Sequence, residues 1–179
     1  YETKRDPELD KAAGGKPFTV SYWVQTTSKA GKGRTVDKGS HGCNKGWHSA
    51  VNGEKIIFEA SDGAGCIHHW DEPVTDGKWH HVVATRTGAK GAVYVDGVLV
   101  KEEETMAGDI GGGETDWYIA QDGNNNGYLI GAMDEVRIYR KALTPEEIKQ
   151  NFKSQGLAVQ PARKLSLTWG RIKVSPAYR

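Results

Sequence analysis

The fold is decided by residues 76–100, DGKWHHVVATRTGAKGAVYVDGVLV, which hold three strand-like runs separated by turns and predict a β-meander. The clearest turn is Asp96-Gly97, because a two-residue type I′ hairpin requires positive φ at both central positions and Asp-Gly tolerates it. Counting outward from that turn places four valines on one face of the hairpin: Val93, Val95, Val98 and Val100. A face of this kind is suited to the core of a β-sandwich.

The composition of the 179-residue chain fits one such domain with a tail. Hydrophobic residues make up 37% of the chain and 23 residues are glycine, which favours short strands and tight turns over long helices. A net charge of +1 gives no overall attraction to nucleic acid, and no run of about 18 apolar residues predicts a membrane span. The sequence starts at Tyr1 without a signal-peptide pattern, which is typical of a processed or excised chain. We divide it into a domain of residues 1–156 and a basic extension of residues 157–179.

Three other segments also have strand character. Residues 18–25 alternate apolar and polar side chains, which is the period of a half-buried strand. Residues 47–51 and 56–60 form a second predicted hairpin, with its turn at Asn52-Gly53. Together with the meander, these segments predict an all-β fold, a two-sheet antiparallel β-sandwich.

The only helix that the sequence predicts covers residues 145–152. Thr144 is a suitable N-cap, Pro145 suits the first helical position, and Glu147 completes a capping box. Leu143 can pack on Ile148 as a hydrophobic staple. We expect this short C-terminal helix to close one end of the sandwich.

Cys43 and Cys66 lie nearly symmetrically about the Asn52-Gly53 turn. In an antiparallel ladder this symmetry would bring them almost opposite each other, within the Cα separation that a disulfide needs. The alternative is two unrelated buried thiols, as in many cytosolic proteins. A Cys43–Cys66 bridge would imply export from the cell.

A candidate metal site lies in the glycine- and asparagine-rich stretch of residues 121–127. Hard oxygen donors of the kind that Ca²⁺ prefers come from Gln121, Asp122, Asn124 and Asn126. Asp134 could supply another donor, because it opens a predicted strand on the same face as the apolar Val136 and Ile138, where an unpaired carboxylate would be costly. The alternative is an Asx-rich turn that hydrogen-bonds to its own backbone.

Three motifs, found together and in this order, resemble the laminin-G-like, concanavalin-A-like jelly-roll domains: WHHVVA at 79–84, YVDG at 94–97 and IGAMDEVRIYRKALTPEEI at 130–148. The resemblance covers residues 16–153. It implies two antiparallel sheets packed face to face and a secreted or cell-surface protein that binds carbohydrate or another extracellular ligand without catalysis. It also implies calcium, since Gln121-Asp122 is similar to the Gln-Asp calcium loop of the pentraxins, which share this fold.

Catalysis and zinc have weaker support in the residues. Jelly-roll glucanases place their carboxylates as Glu-x-Asp-x-x-Glu on one strand, and the nearest stretch, residues 114–119, lacks the last glutamate. Neither His68-His69 nor His80-His81 can chelate one ion alone, because adjacent strand residues point to opposite faces. We therefore expect a domain that is not an enzyme and whose histidines are structural or at the surface.

A binding role remains, and the aromatic residues suggest where it lies. Sugar rings stack on exposed aromatic planes while polar groups accept their hydroxyls. The candidate carbohydrate-binding residues are Trp47, Trp70, Tyr128 and Asn124. Most tryptophans are instead core residues, so at most one of these aromatics is expected to be a platform. A third possibility is an adhesive or structural module whose partner is an extracellular protein or another copy of itself.

The basic extension contains a second strand-like pattern. Residues 165–169, LSLTW, alternate, and Ile172 and Val174 continue the apolar positions, whereas a solvated basic tail has no reason to alternate. We expect residues 165–174 to add to a sheet edge, either of this domain or of a neighbouring copy in a homo-oligomer.

Overall fold

The computed structural model describes residues 2–3, 16–39, 46–62, 66–104, 108–110, 116–122 and 127–154, without the side chains of 2–3 and 66–71. Two antiparallel sheets form a sandwich, and the predicted all-β fold is confirmed. The elements are β1 (Glu2–Thr3), β2 (Phe18–Gln25), β3 (Lys32–Lys38), β4 (Gly46–Asn52), β5 (Lys55–Ser61), β6 (Cys66–Pro73), β7 (Trp79–Thr87), β8 (Lys90–Val95), β9 (Val98–Glu104), β10 (Trp117–Ile119), β11 (Ala132–Tyr139) and α1 (Pro145–Lys153).

The order of the strands places the two sheets face to face. One sheet has six strands in the order β1-β10-β3-β4-β5-β6, and the other has five in the order β11-β2-β7-β8-β9. The alternation of β2 sends Phe18, Val20, Tyr22 and Val24 into the space between the sheets, where they pack with Trp47 and its neighbours. A buried contact of 2.6 Å between Tyr22 Oη and Ser49 Oγ joins the sheets across this core.

The central hairpin forms at the predicted turn, with φ of 52° at Asp96 and 77° at Gly97. The pairing Val95–Val98 is confirmed, but a bulge then places Lys101, instead of Val100, opposite Val93. The predicted face of four valines is therefore wrong in part. Val93 and Val95 are buried and Val100 packs against the core, whereas Val98 is 67% exposed.

The predicted helix and its capping box are confirmed, since Glu147 N donates to Thr144 Oγ1 and Thr144 N donates to Glu147 Oε2. Its position differs from the expectation. Instead of closing an end of the sandwich, α1 lies on the outer face of the five-stranded sheet, where Ile148 packs with Val83 and Tyr94. Phe152 stacks on Trp23 at a ring distance of 5.8 Å. This covering explains why both faces of β2 are buried.

A bulge in β11 overturns the expected orientation of Asp134. The register shifts between Asp134 and Arg137, and Glu135 has a φ of 52°. The extra residue turns Met133, Val136 and Ile138 towards the core and leaves Asp134 exposed. The reason for expecting a partner for Asp134, burial among apolar side chains, therefore does not hold.

The second hairpin pairs Val51 with Ile56 and Asn52 with Lys55, so its two-residue turn is Gly53-Glu54 and the predicted turn at Asn52-Gly53 is wrong by one residue. Cys66 does not extend this ladder, because it belongs to β6 and pairs with Ser61. Cys43 and the extension of residues 157–179 lie outside the described residues, and the disulfide stays a prediction. No helix in the described part of the chain is long and apolar enough to cross a membrane.

Candidate functional site

The loop that follows β10 is anchored to strand β3 at both of its described ends. Ala120 N donates to Thr35 O at 2.9 Å, and Arg34 N donates to Gly127 O at 2.7 Å. The loop is closed on itself by a third bond, from Leu129 N to Ala120 O at 3.0 Å. Backbone bonds to a central strand therefore fix the positions where the loop leaves and rejoins the sheet.

Gly127 permits the close approach of this loop to β3. Its φ is 60°, and a Cβ there would lie 3.2 Å from both Lys32 O and Arg34 Cγ. The same position is 3.6 Å from Asp122 Oδ2, so the carboxylate of Asp122 lies beside the returning backbone. Asp122 is 7% exposed, which is unusual for an acidic residue on a loop.

The predicted calcium ligands are distributed unevenly in the structure. Gln121 and Asp122 both lie on this loop, and Asn124 and Asn126 fall outside the described residues. Asp134 lies on β11 in the other sheet, where its Oδ1 accepts from Glu135 N at 2.8 Å. No group of three or more His, Cys, Asp or Glu side chains able to hold a metal occurs among the residues described.

An open notch lies where this loop meets the loop after β2. Its exposed wall is formed by Tyr128 and Ile130, whose side chains are 56% and 64% exposed. The lining consists of small, hydroxyl-bearing and apolar side chains: Thr26, Ser28, Ala30, Gly33, Val51, Tyr128, Leu129 and Ile130. The notch therefore combines an aromatic surface open to solvent with nearby polar groups.

Hydrogen bonds hold the two loops of the notch together. The hydroxyl of Thr26 donates to Ile130 O at 2.6 Å and accepts from Ser28 N at 2.9 Å. Next to this contact, a Cβ at Gly131 would lie 2.4 Å from Gln25 O, so only glycine allows the two backbones to run so close. The walls of the notch are thus fixed by the Thr26 hydroxyl and by the close approach of the two main chains.

The aromatic candidates have different positions. Trp47 was expected as a possible sugar platform, and this is wrong because its side chain is fully buried between the sheets. Its ring packs against Phe18, Phe58 and Trp117 at ring distances of 5.2 to 6.0 Å. The side chain of Trp70 and the whole of Asn124 lie outside the described part of the chain. Tyr128 is the candidate whose ring the structure leaves open to solvent.

A row of buried polar side chains crosses the outer face of the six-stranded sheet, and the sequence analysis did not identify it. Asp37, His48 and Glu59 are direct cross-strand partners on β3, β4 and β5. His48 Nε2 lies 2.8 Å from Glu59 Oε2, and Lys32 Nζ donates to Glu59 Oε1 at 3.1 Å. The alternation of β4 and β5 was the available signal, since these residues lie between the core residues of each strand.

Burial and neighbouring charges shift the pKa values of His48 and Glu59 in this row. Burial lowers the pKa of His48, and the nearby Arg34 guanidinium lowers it further. Burial raises the pKa of Glu59, but the contacts with His48 and Lys32 outweigh it and hold that pKa well below its usual range. The row is therefore a set of paired groups within the sheet.

Comparisons with known proteins agree with the fold. A laminin-G family model, described as the concanavalin A-like lectin/glucanases superfamily, matches residues 6–149. The receptor-binding domain of botulinum neurotoxin C/D mosaic serotype is 18% identical, with a TM-score of 0.60 over 85% of this chain and 39% of that one. The binding domain of Paraclostridial Mosquitocidal Protein 1 is 17% identical, with a TM-score of 0.58 over 79% of this chain and 38% of that one.

A third similar structure is of botulinum neurotoxin type C, whose cell entry is dependent upon interaction with two ganglioside molecules. It is 15% identical, with a TM-score of 0.57 over 84% of this chain and 38% of that one. The chain thus spans about two fifths of the length of these toxin domains, and at this identity the likeness shows the fold alone. No curated protein matches the chain significantly. The family match covers most of the 179 residues, and the chain belongs to the concanavalin A-like lectin/glucanases superfamily.

Proposed function

We propose that this domain is a non-catalytic, extracellular carbohydrate-binding module whose ligand occupies the notch beside Tyr128. The observation that carries the proposal is the exposed phenol ring of Tyr128, held on a loop that backbone hydrogen bonds anchor to β3. Rigid aromatic side chains at concave surfaces give large contact areas for ligands. The family, and the ganglioside interaction of the similar botulinum neurotoxin type C, support a binding role of this kind.

The lining of the notch suggests how much of a glycan it takes. The notch is open to solvent, and Tyr128 is the one aromatic side chain among its lining residues. We therefore infer recognition of one terminal sugar ring. Its apolar face would stack on Tyr128, and one of its hydroxyls would meet the half-buried hydroxyl of Ser28.

The carboxylates of the outer sheet face are not suited to catalysis. A glycosidase needs two carboxyl groups open to the bond that they cleave. Asp37 is fully buried, and Glu59 is held by His48 and Lys32. Neither is available to a sugar ring, so we infer binding without hydrolysis.

Calcium belongs to the same proposal, at the loop of residues 121–126. The buried carboxylate of Asp122 and the amide oxygen of Gln121 are suitable hard donors, and Asn124 and Asn126 would complete the set. The ion would stabilise the loop that carries Tyr128. We exclude Asp134 from this ligand set because it is exposed on the other sheet.

A glycan array followed by titration calorimetry tests the carbohydrate proposal. Tyr128→Ala should weaken the best binder at least tenfold, about 1.4 kcal/mol. Tyr128→Phe keeps the ring and should retain most of the affinity. Lys149→Ala, an exposed side chain on α1 outside the notch, is the matched control. An array without binders, or a Tyr128→Ala variant with unchanged affinity, would refute the proposal.

A further inference from the structure

The more buried side chains of the notch belong to the hydrophobic core. Val51 is buried in that core, and the half-buried Leu129 packs against it. Gly33 lies between the two, since it pairs with Val51 and a Cβ on it would lie 3.3 Å from Leu129 Cα. Ala30 and Ile130 add exposed apolar groups at the rim. A ligand in the notch therefore meets mainly apolar surface.

Few side-chain hydroxyls of the notch are left for a ligand. The Thr26 hydroxyl is already used, because it donates to Ile130 O and accepts from Ser28 N. Ser28 Oγ accepts from Ala30 N at 3.4 Å, and its O–H can still donate. Among the described lining side chains, this leaves the hydroxyls of Ser28 and Tyr128. A ligand hydroxyl that faces the apolar groups instead would lose water without gaining a partner.

The charged side chains near the notch are directed elsewhere or paired. Lys32 and Arg34 flank Gly33, so strand alternation places them on the opposite face of β3. There, each has a side-chain nitrogen within 3.6 Å of a carboxylate oxygen. Lys29, on the loop after β2, is exposed and forms an ion pair with Glu54. None of the lining residues that the structure describes is charged, so a negatively charged sugar would meet no cation there.

We propose that the sugar ring in the notch is an uncharged 6-deoxyhexose, whose methyl group lies against Leu129 and Ile130 while one ring face stacks on Tyr128. This inference rests on the proposed carbohydrate function. A 6-deoxyhexose carries a methyl group where the parent hexose carries a hydroxymethyl group, so it has one hydroxyl fewer to remove from water. An N-acetyl sugar also offers a methyl group, but its amide brings a donor and an acceptor that both need partners.

Matched sets of methyl glycosides test this preference by NMR titration of the whole chain. The sets cover the gluco, galacto and manno configurations in the D and L series. Each contains the 6-deoxy sugar, the parent hexose and the uronic acid, which differ only at the last carbon. The best 6-deoxy sugar should bind about tenfold more tightly than its parent hexose, because an apolar site discriminates by about this factor against one added hydroxyl. The uronic acid should bind most weakly.

A substitution at the rim tests which group reads the methyl. Ile130→Thr puts a hydroxyl on the exposed wall at similar volume, and it should reduce the preference for the 6-deoxy sugar to about twofold. The added hydroxyl can pair with that of the parent hexose. Val98→Thr is the matched control, because Val98 is 67% exposed on β9, outside the notch. This variant should keep the full preference.

The outcomes separate this inference from the proposed function. The inference is wrong if the parent hexose, the uronic acid or an N-acetyl sugar binds as tightly as the 6-deoxy sugar while Tyr128→Ala abolishes binding. The carbohydrate site would then stand with a different specificity. If neither these glycosides nor the glycan array yields a binder, the proposed function fails and this inference fails with it.

Discussion

Asp96 Oδ2 lies 2.9 Å from Nδ1 of His80, across the turn that joins β8 to β9. The other oxygen of the same carboxylate accepts from His81 N at 2.9 Å, so one side chain ties this turn to two consecutive residues of β7. Strand alternation then gives the two imidazoles opposite surroundings. His80 faces a second carboxylate, Asp76, whereas His81 is buried against Ser21, Trp23 and Phe152.

The first prediction concerns His80. Burial lowers its pKa, but the hydrogen bonds and charges of Asp96 and Asp76 outweigh burial and raise it above the usual value. Asp96→Asn keeps a residue that tolerates the left-handed turn and removes the charge. The pKa of His80 should therefore fall, as measured by ¹⁵N NMR titration, while His48 on the other sheet keeps its titration. An unchanged pKa of His80 would contradict the assigned cause.

The second prediction concerns His81, which makes the free energy of unfolding depend on pH. Burial lowers its pKa to about 4, whereas the unfolded side chain titrates near 6.5. The stability gained from neutral His81 is fully present above pH 6.5 and is lost as the pH falls towards 4. By pH 5 the loss amounts to about 2 kcal/mol.

Replacing this histidine isolates its contribution. His81→Phe keeps a ring beside Trp23 and Phe152 but cannot take up a proton. Urea unfolding measures the free energy of unfolding at pH 7 and at pH 5. The fall in this free energy from pH 7 to pH 5 should be about 2 kcal/mol smaller in the variant than in the unsubstituted chain. Equal differences in both proteins would show that His81 is not the group that titrates.

The calcium proposal predicts a melting temperature that depends on free Ca²⁺. A ligand present at 100 times its dissociation constant adds about 2.7 kcal/mol to the free energy of unfolding, so a chelator should lower the melting temperature. Asp122→Asn should remove this response. Asp134→Asn is the matched control, because that carboxylate is exposed on β11, and the response should persist. A chelator without effect on the unsubstituted chain would refute calcium at this loop.

The last prediction concerns the contribution of the N-cap of α1 to the stability of the domain. Thr144→Ala removes the hydroxyl that accepts from Glu147 N and should lower the free energy of unfolding by about 1 kcal/mol. Thr87→Ala, at the exposed end of β7, should change it by less than about 0.5 kcal/mol. Chemical denaturation measures both values, and equal effects would show that the cap contributes nothing specific.

Some features could be predicted from the sequence because they depend only on residues close together in the chain. The Asp96-Gly97 turn depends on backbone preferences of two adjacent residues, and the capping box depends on four residues of one helical turn. Neither needs a distant partner. The alternation of β2 likewise identified the core face, because strand geometry repeats every two residues.

Tertiary structure decided what covers each face. Trp47 and Tyr128 both lie near glycine-rich loops in the sequence, yet one is fully buried and the other 56% exposed, because Trp47 points between the sheets and Tyr128 lies on a loop at their rim. The same holds for His48 and Glu59, which become neighbours only through the pairing of β4 with β5.

The orientation of side chains next to β-bulges could not be predicted from the sequence. One additional residue in β11 exposes Asp134 to solvent, although it was expected on the apolar face. Another in β9 shifts the pairing, so that Lys101 and not Val100 lies opposite Val93. A bulge is chosen by the register of the neighbouring strand and by the packing of the whole sheet. The sequence by itself determined the alternation of β2, the Asp96-Gly97 turn and the helix cap, because these depend on nearby residues. Only the tertiary structure decided which side chains face ligand, core or solvent, because that depends on contacts between distant segments.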